Sequence, residues 1–282
     1  MKIIETLGRL DRRIIYLLLT LAVIVPLLVN IDVRQRVDRS TETFFRAVDT
    51  LDAENKAVLI SFDYSPDVAA ELDPMAMAIL RHCFARGIKV VGLSFSVQGA
   101  ALGERAMARA AREYGKEYGK EYCYFGYRIG VAVTILGLGE NPRRILPADH
   151  YGSPYDSLPM MAGIGNYDDI GLVVDLAGSG IVQSWIVYAH NQYRANVAAG
   201  VTAVVAPDYY PYLQTGQLVG QLGGMRGAAE YEQLVYDAGY HPSKGLANKA
   251  MNAISSTHVL IMLLIVVGNL AFWQDRRGNK QK

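Results

Sequence analysis

The sequence predicts an α/β fold: a mostly parallel, Rossmann-like sheet with helices on both faces, flanked by two transmembrane helices. Three observations carry that expectation. Short apolar runs recur along the middle of the chain, separated by turn and helix signals, as buried parallel strands require. A long uncharged stretch stands near each end. The 282 residues are 51% hydrophobic and 20% charged, enough to bury a core and too apolar for a disordered or fibrous chain.

Residues 14–31 (IIYLLLTLAVIVPLLVNI) carry no charge and approach the length a helix needs to cross a hydrocarbon core of roughly 30 Å. The exit Leu28-Val29-Asn30-Ile31 has no small-residue cleavage pattern, so a retained span is expected rather than a cleaved signal. Pro26 is tolerable in such a helix where neighbours satisfy the freed carbonyl. A second span is expected over residues 250–274, with its apolar heart at 259–273 and Trp273 as an interfacial anchor.

The tails decide the orientation. Residues 1–13 hold Lys2, Arg9, Arg12 and Arg13 against Glu5 and Asp11, and residues 275–282 hold Arg276, Arg277, Lys280 and Lys282 against Asp275. Positive ends stay in the cytoplasm, so residues 32–249 are expected outside it, tethered at both ends to an inner or plasma membrane. The lipid bilayer is then an expected partner. Nucleic acid is not, because 28 basic against 27 acidic residues leave a formal charge of only +1.

Within the middle, residues 33–51 place Val33, Val37, Phe44, Phe45, Val48 and Leu51 near one helical face, which predicts a juxtamembrane helix. Residues 57–62 (AVLISF) read as the first strand, followed by a helix entered at Asp73-Pro74 and ended by Gly87, then a second strand over 88–95. Residues 102–122 look helical and contain a four-residue duplication, Glu113-Tyr114-Gly115-Lys116 and Glu117-Tyr118-Gly119-Lys120, expected as a surface insertion. Residues 131–138, 170–176, 184–189 and 201–206 complete six expected strands in one domain.

Ligands of open parallel sheets collect at the carboxyl ends of the strands, so the polar residues after each run are the candidates. They are Asp63 and Tyr64, Ser94 and Ser96, Asp175, His190 and Asn191, then Asp208. The long loop 144–169 adds Asp149, His150, Tyr151, Asp168 and Asp169. The plain alternative for all of them is helix capping and strand ending.

Familiar chemical motifs fail one by one. There is no GxGxxG after the first strand, no GxxxxGK[ST] and no GxSxG, and Phe62-Asp63-Tyr64-Ser65-Pro66 lacks the second aspartate of a phosphatase-type DxDxT loop. The histidines show no HxH or HExxH spacing, and Cys83 and Cys123 no CxxC, so neither a metal nor an organic cofactor is expected. In an extracytoplasmic compartment the two thiols could pair.

Residues 211–232 stand out. Read as one helix, they place Gly216, Gly220, Gly223, Gly224 and Gly227 three or four apart, each weakening the helix by about 1 kcal/mol relative to alanine. Close backbone approach to a neighbouring helix, in the same chain or in a second copy, is the expected reason.

Leu10-Asp11-Arg12-Arg13 before the first span, Ser61-Phe62-Asp63-Tyr64 after the first strand and Thr215-Gly216-Gln217-Leu218 ahead of the glycines together resemble uncharacterised bacterial membrane proteins with an anchor at each end. The resemblance implies architecture only and transfers no catalytic residue. The expected function is a membrane-anchored, extracytoplasmic binding or assembly component, self-associating through the glycine-striped helix or joined to other membrane proteins. The alternative is a tethered hydrolase or transferase for a cell-envelope substrate, using Asp63, His190 and Asp208.

Overall fold

The computed structural model describes residues 11–29, 34 and 36–279. The chain divides into two compact units, one over Gln35–Asn248 and one formed by the terminal segments up to Arg34 and from Lys249.

In the first unit six strands form a single sheet: β1 (Ala57–Asp63), β2 (Lys89–Ser94), β3 (Tyr122–Tyr127), β4 (Ile170–Ala177), β5 (Val197–Val201) and β6 (Gly220–Gly223). Their order is β3-β2-β1-β4-β5-β6, and every neighbouring pair is parallel. The expected Rossmann-like α/β sheet is therefore present. The chain builds outward from β1 to β3, then crosses back to β4 on the other side of β1, so the topological switch lies between β1 and β4.

Between the strands come α3 (Ala69–Ala85), α4 (Val97–Tyr114), α5 (Val131–Glu140), α6 (Pro142–Ile145), α7 (Ile181–Trp185), α8 (Asn191–Tyr193), α9 (Tyr210–Gln214) and α10 (Gly224–Asp237), and α2 (Arg39–Asp49) precedes β1. One sheet face carries Leu59, Val91, Cys123, Val173, Val197 and Ala199 under Ile135, Leu138, Trp185 and the long loop. The other lies under α3 and α4: a Cβ on Gly103 of α4 would meet the Phe62 ring at 2.6 Å, so only glycine lets this helix sit so close. Both faces are dry, which is why β1 could be read as an unbroken apolar run.

Several expectations are corrected. Residues 131–138 are helical: Ile135 and Leu138, three apart, are buried while Val133 is 69% exposed, which a strand cannot arrange on one face. Residues 184–189 are also helical, running through α7 into a π-helical turn over Ile186–His190. The strand expected over 201–206 lies earlier, at β5, and β3 and β6 fall on residues read as helix or loop. α3 begins at Ala69 and contains Pro74 rather than starting on it, and α2 spans only Arg39–Asp49 of the juxtamembrane helix expected over 33–51. α4 covers Val97–Tyr114, and the second copy of the duplication forms a turn beyond it.

The glycine-striped helix does not exist as one element. Gly216 sits in a turn with φ of 76°, Gly220 and Gly223 belong to β6, Gly224 starts α10 with φ of 59°, and Gly227 follows in its first turn. Their close approaches lie inside the domain: an added Cβ would meet the Phe44 backbone at 2.6 Å from Gly220, Ala203 at 2.7 Å from Gly224 and the Leu222 backbone at 2.8 Å from Gly227. Cys83 and Cys123 are both free and buried, and they lie on opposite faces of the sheet.

In the terminal unit, α1 (Arg12–Leu28) starts at Asp11, whose carboxylate accepts the Arg13 N–H at 2.9 Å, and α11 runs over Leu246–Asn279. The Ser256 hydroxyl donates to the Ala22 carbonyl of α1 at 2.6 Å, which joins the two helices. Among the described residues one helix, over Leu246–Trp273, is long and apolar enough by length and composition to cross a membrane. Two spans were expected. α1 has 17 residues, about 26 Å of helix, and ends at Leu28 with Val29 extended; residues 30 and 31 of the expected span lie outside the described residues. Residues 1–10 and 280–282 of the expected tails lie outside them too.

Candidate functional site

The carboxyl edge of the sheet brings together three of the expected residues. Ser61 on β1 is registered with Asp175 on β4, and Asp63 with Ala177, so strand alternation puts Ser61, Asp63 and Asp175 on one face at the switch point. Asp63 accepts the Ser61 hydroxyl and the Phe95 backbone N–H, each at 2.5 Å, and the Ser94 hydroxyl stands 3.5 Å away. Asp175 is fully buried, and no donor reaches either of its oxygens.

Two buried carboxyls side by side cannot both be ionised. Burial, then the neighbouring Asp63 charge, hold Asp175 well above the usual carboxylate range. Burial raises Asp63 as well, opposed by the Ser61 and Phe95 donors. Asp63 is thus the member that ionises more readily, and Asp175 keeps its proton. With Asp63 only 4% exposed, the pair braces β1 against β4 and offers no open face to a substrate.

The other candidates do not join them. The Tyr64 hydroxyl is turned to Asp73 at 2.7 Å. His190 pairs through Nδ1 with the Ala195 carbonyl at 3.0 Å, just ahead of β5. It therefore belongs to the amino edge of the sheet, opposite Asp63. Asn191 beside it accepts from Gln217 at 3.0 Å. Asp208 is exposed on the 3-10 turn after β5. Asp149 is buried as a turn cap, taking the Tyr151 and Ser153 N–H groups and the hydroxyl of Tyr118, a residue of the second duplicated unit. His150 packs its ring 5.7 Å from that of Tyr124. The trio Asp63, His190 and Asp208 is not assembled, and among the described residues no group of three His, Cys, Asp or Glu could hold a metal ion.

An open pocket of about 300 Å³ lies elsewhere on the carboxyl edge, where the edge strand β6 meets α2, α9 and α10. Its floor is Gln221 of β6, 2% exposed. The Gln221 Nε2 donates to the Ala206 carbonyl at 2.9 Å, which fixes the amide's orientation and leaves Oε1 buried without a donor. α10 starts at the rim, its first N–H groups uncapped by any side chain because Gly223 precedes it. Across from it, Asp38 caps α2, accepting the Ser40 N–H at 3.1 Å.

Glu230 ties the walls together. Only 1% exposed, it accepts the Asp38 N–H and the Thr41 hydroxyl, each at 2.9 Å, and the Arg226 Nε at 2.7 Å. Sequence reasoning missed Gln221, Asp38 and Ser61. The only signal for Gln221 was a polar residue among glycines, and reading those glycines as a helix hid the strand that aims it.

Compared with known protein families, curated proteins and solved structures, the chain has no match in any of the three.

Proposed function

We propose that this chain is a membrane-anchored binding component, which holds a small ligand in the pocket at the carboxyl end of β6. Gln221 carries the reading. A buried acceptor left without a donor costs on the order of 1–3 kcal/mol, and Gln221, whose Oε1 is such an acceptor, lines an open pocket in which a small shift of its amide would let a ligand supply that donor.

The anchoring is proposed from α11 and from the uncharged, apolar stretch at 14–31, with the positive tails in the cytoplasm and the α/β domain outside it. The resemblance to doubly anchored bacterial proteins supports the same arrangement. Self-association through the glycines loses its basis, since their close approaches are met within the domain. A hydrolase built on Asp63, His190 and Asp208 loses its basis too, since His190 and Asp63 lie at opposite edges of the sheet.

Native mass spectrometry of the full-length protein, taken from its membrane in detergent, tests the binding reading. A non-lipid adduct on the wild type that is lost in Gln221→Leu supports it; a wild type free of any such adduct overturns it.

A further inference from the structure

We infer that α10 is a coupling helix: it caps both α2 and α11, so the two places where the α/β unit joins the terminal segments loosen in one step rather than separately. Three consecutive residues of α10, Glu230, Tyr231 and Glu232, are all buried. Successive helical residues point about 100° apart, so three buried in a row require neighbours around at least half of the helix. Each of the three holds a different neighbour.

Glu230 accepts the Asp38 N–H, the group that a capping-box glutamate at position 41 would take. Position 41 is threonine, and its hydroxyl goes to Glu230 as well. Glu232 accepts the Ala247 and Asn248 N–H groups at 3.2 and 2.9 Å, and the Asn248 Nδ2 at 3.1 Å. These are among the first N–H groups of α11, and Gly245 before the helix has no side chain to cap them. A Cβ at Gly245 would collide with the Glu232 carboxylate. Between the two caps, the Tyr231 ring lies 5.4 Å from Phe44 and 5.6 Å from Phe45 of α2, and its hydroxyl stands 2.9 Å from the His82 Nδ1 on α3.

A second tie closes the circuit. Tyr240, between α10 and α11, donates its hydroxyl to Asp49 at the end of α2 at 2.6 Å. α2 is therefore fixed at its start by α10 and at its end by the segment that leads to α11. Drawing α2 away strips donors from Glu230 and Asp49, and a shift of α10 takes Glu232 with it. Buried carboxylates without donors are unfavourable, so breaking one cap while keeping the other is the poorest state. α2 lies over β6, a four-residue edge strand, so this group opens ahead of the central strands. Asp38, Thr41, Arg226 and Glu230 also line the β6 pocket, so a change there reaches both junctions at Gln35 and Asn248. The coupling itself needs no ligand.

Amide hydrogen exchange of the full-length protein in detergent, across a urea series that leaves it folded, tests this. In the wild type the Asp38, Ala247 and Asn248 N–H groups are expected to share one opening equilibrium and one urea dependence, with the amides of β1 more strongly protected. Glu232→Gln should speed exchange at Asp38 at least tenfold, and Thr41→Val should do the same at Ala247 and Asn248, with β1 unchanged. Acceleration confined to the helix that lost its own cap would overturn the coupling. Separate urea dependences in the wild type would overturn it too, and that measurement decides alone if either variant fails to fold.

Discussion

Asp63 and Asp175 share one face of the β1–β4 pair, and Asp63 receives the Ser61 and Phe95 donors while neither oxygen of Asp175 has a partner. The stability of the domain must then depend on pH in a defined direction. A carboxyl whose pKa is raised on folding stabilises the native state only while protonated. That contribution is full below the ordinary value of 3.8 and is lost as pH climbs through the raised value.

Asp175→Asn removes the ionisable group and leaves a neutral amide of nearly the same shape beside Asp63. The variant is expected to be more stable than wild type at pH 7, by about 1–3 kcal/mol, and to lose the decline with rising pH. Thermal unfolding of the detergent-solubilised protein between pH 4 and pH 9 reads both effects. Asp63→Asn should be destabilising, since Ser61 and Phe95 donate to different oxygens of Asp63 and an amide has an acceptor at only one of those positions.

His82 works in the opposite sense. It is fully buried on α3, with the Tyr231 hydroxyl at 2.9 Å from Nδ1 and Asp49 at 3.3 Å from Nε2, and its ring is stacked 4.3 Å from Phe45. Burial pushes its pKa down from 6.5 to about 4, against the pull of the Asp49 carboxylate. The unfolded chain therefore binds the proton first, and stability present above pH 6.5 is lost as pH falls toward 4. The loss amounts to about 3 kcal/mol. His82→Gln should flatten this acid limb, which the same pH series of melting curves measures.

The glycines at β6 separate internal packing from self-association. Gly220→Ala drives a Cβ into the Phe44 backbone at 2.6 Å and should cost about 1–3 kcal/mol. Gly216→Ala meets nothing within 4 Å and carries only the penalty of its φ of 76°, about 1–2 kcal/mol. Neither should alter the oligomeric state in light scattering, because the contacts are made within one chain.

How much was legible in the sequence follows from how each strand is buried. β1, β2 and β4 lie in the middle of the sheet with both faces covered, so they appear as unbroken apolar runs and can be placed to within a residue or so. β3 is an edge strand written in tyrosines, Tyr122-Cys123-Tyr124-Phe125-Gly126-Tyr127, and β6 is four residues long with glycine at each end. Neither carries an alternation long enough to recognise. The β-branched run 131–138 imitates a strand by composition, and only the spacing of Ile135 and Leu138 marks it as helical.

The candidate site was legible to the same degree. Asp63, Ser94 and Asp175 were placed together because they end or occupy the well-marked central strands. His190 was placed with them because residues 184–189 were read as a strand; as a helix the same residues carry it to the other edge. Gln221 could not be found without β6.

Amide hydrogen exchange at Gly224, Met225 and Arg226 tests most directly whether the β6 pocket binds a ligand. These N–H groups open α10 with no side chain capping them. In protein taken from the membrane with its ligand they should exchange slowly, and Gln221→Leu should release them to the rate of an exposed amide. Equally fast exchange in both proteins would contradict the account.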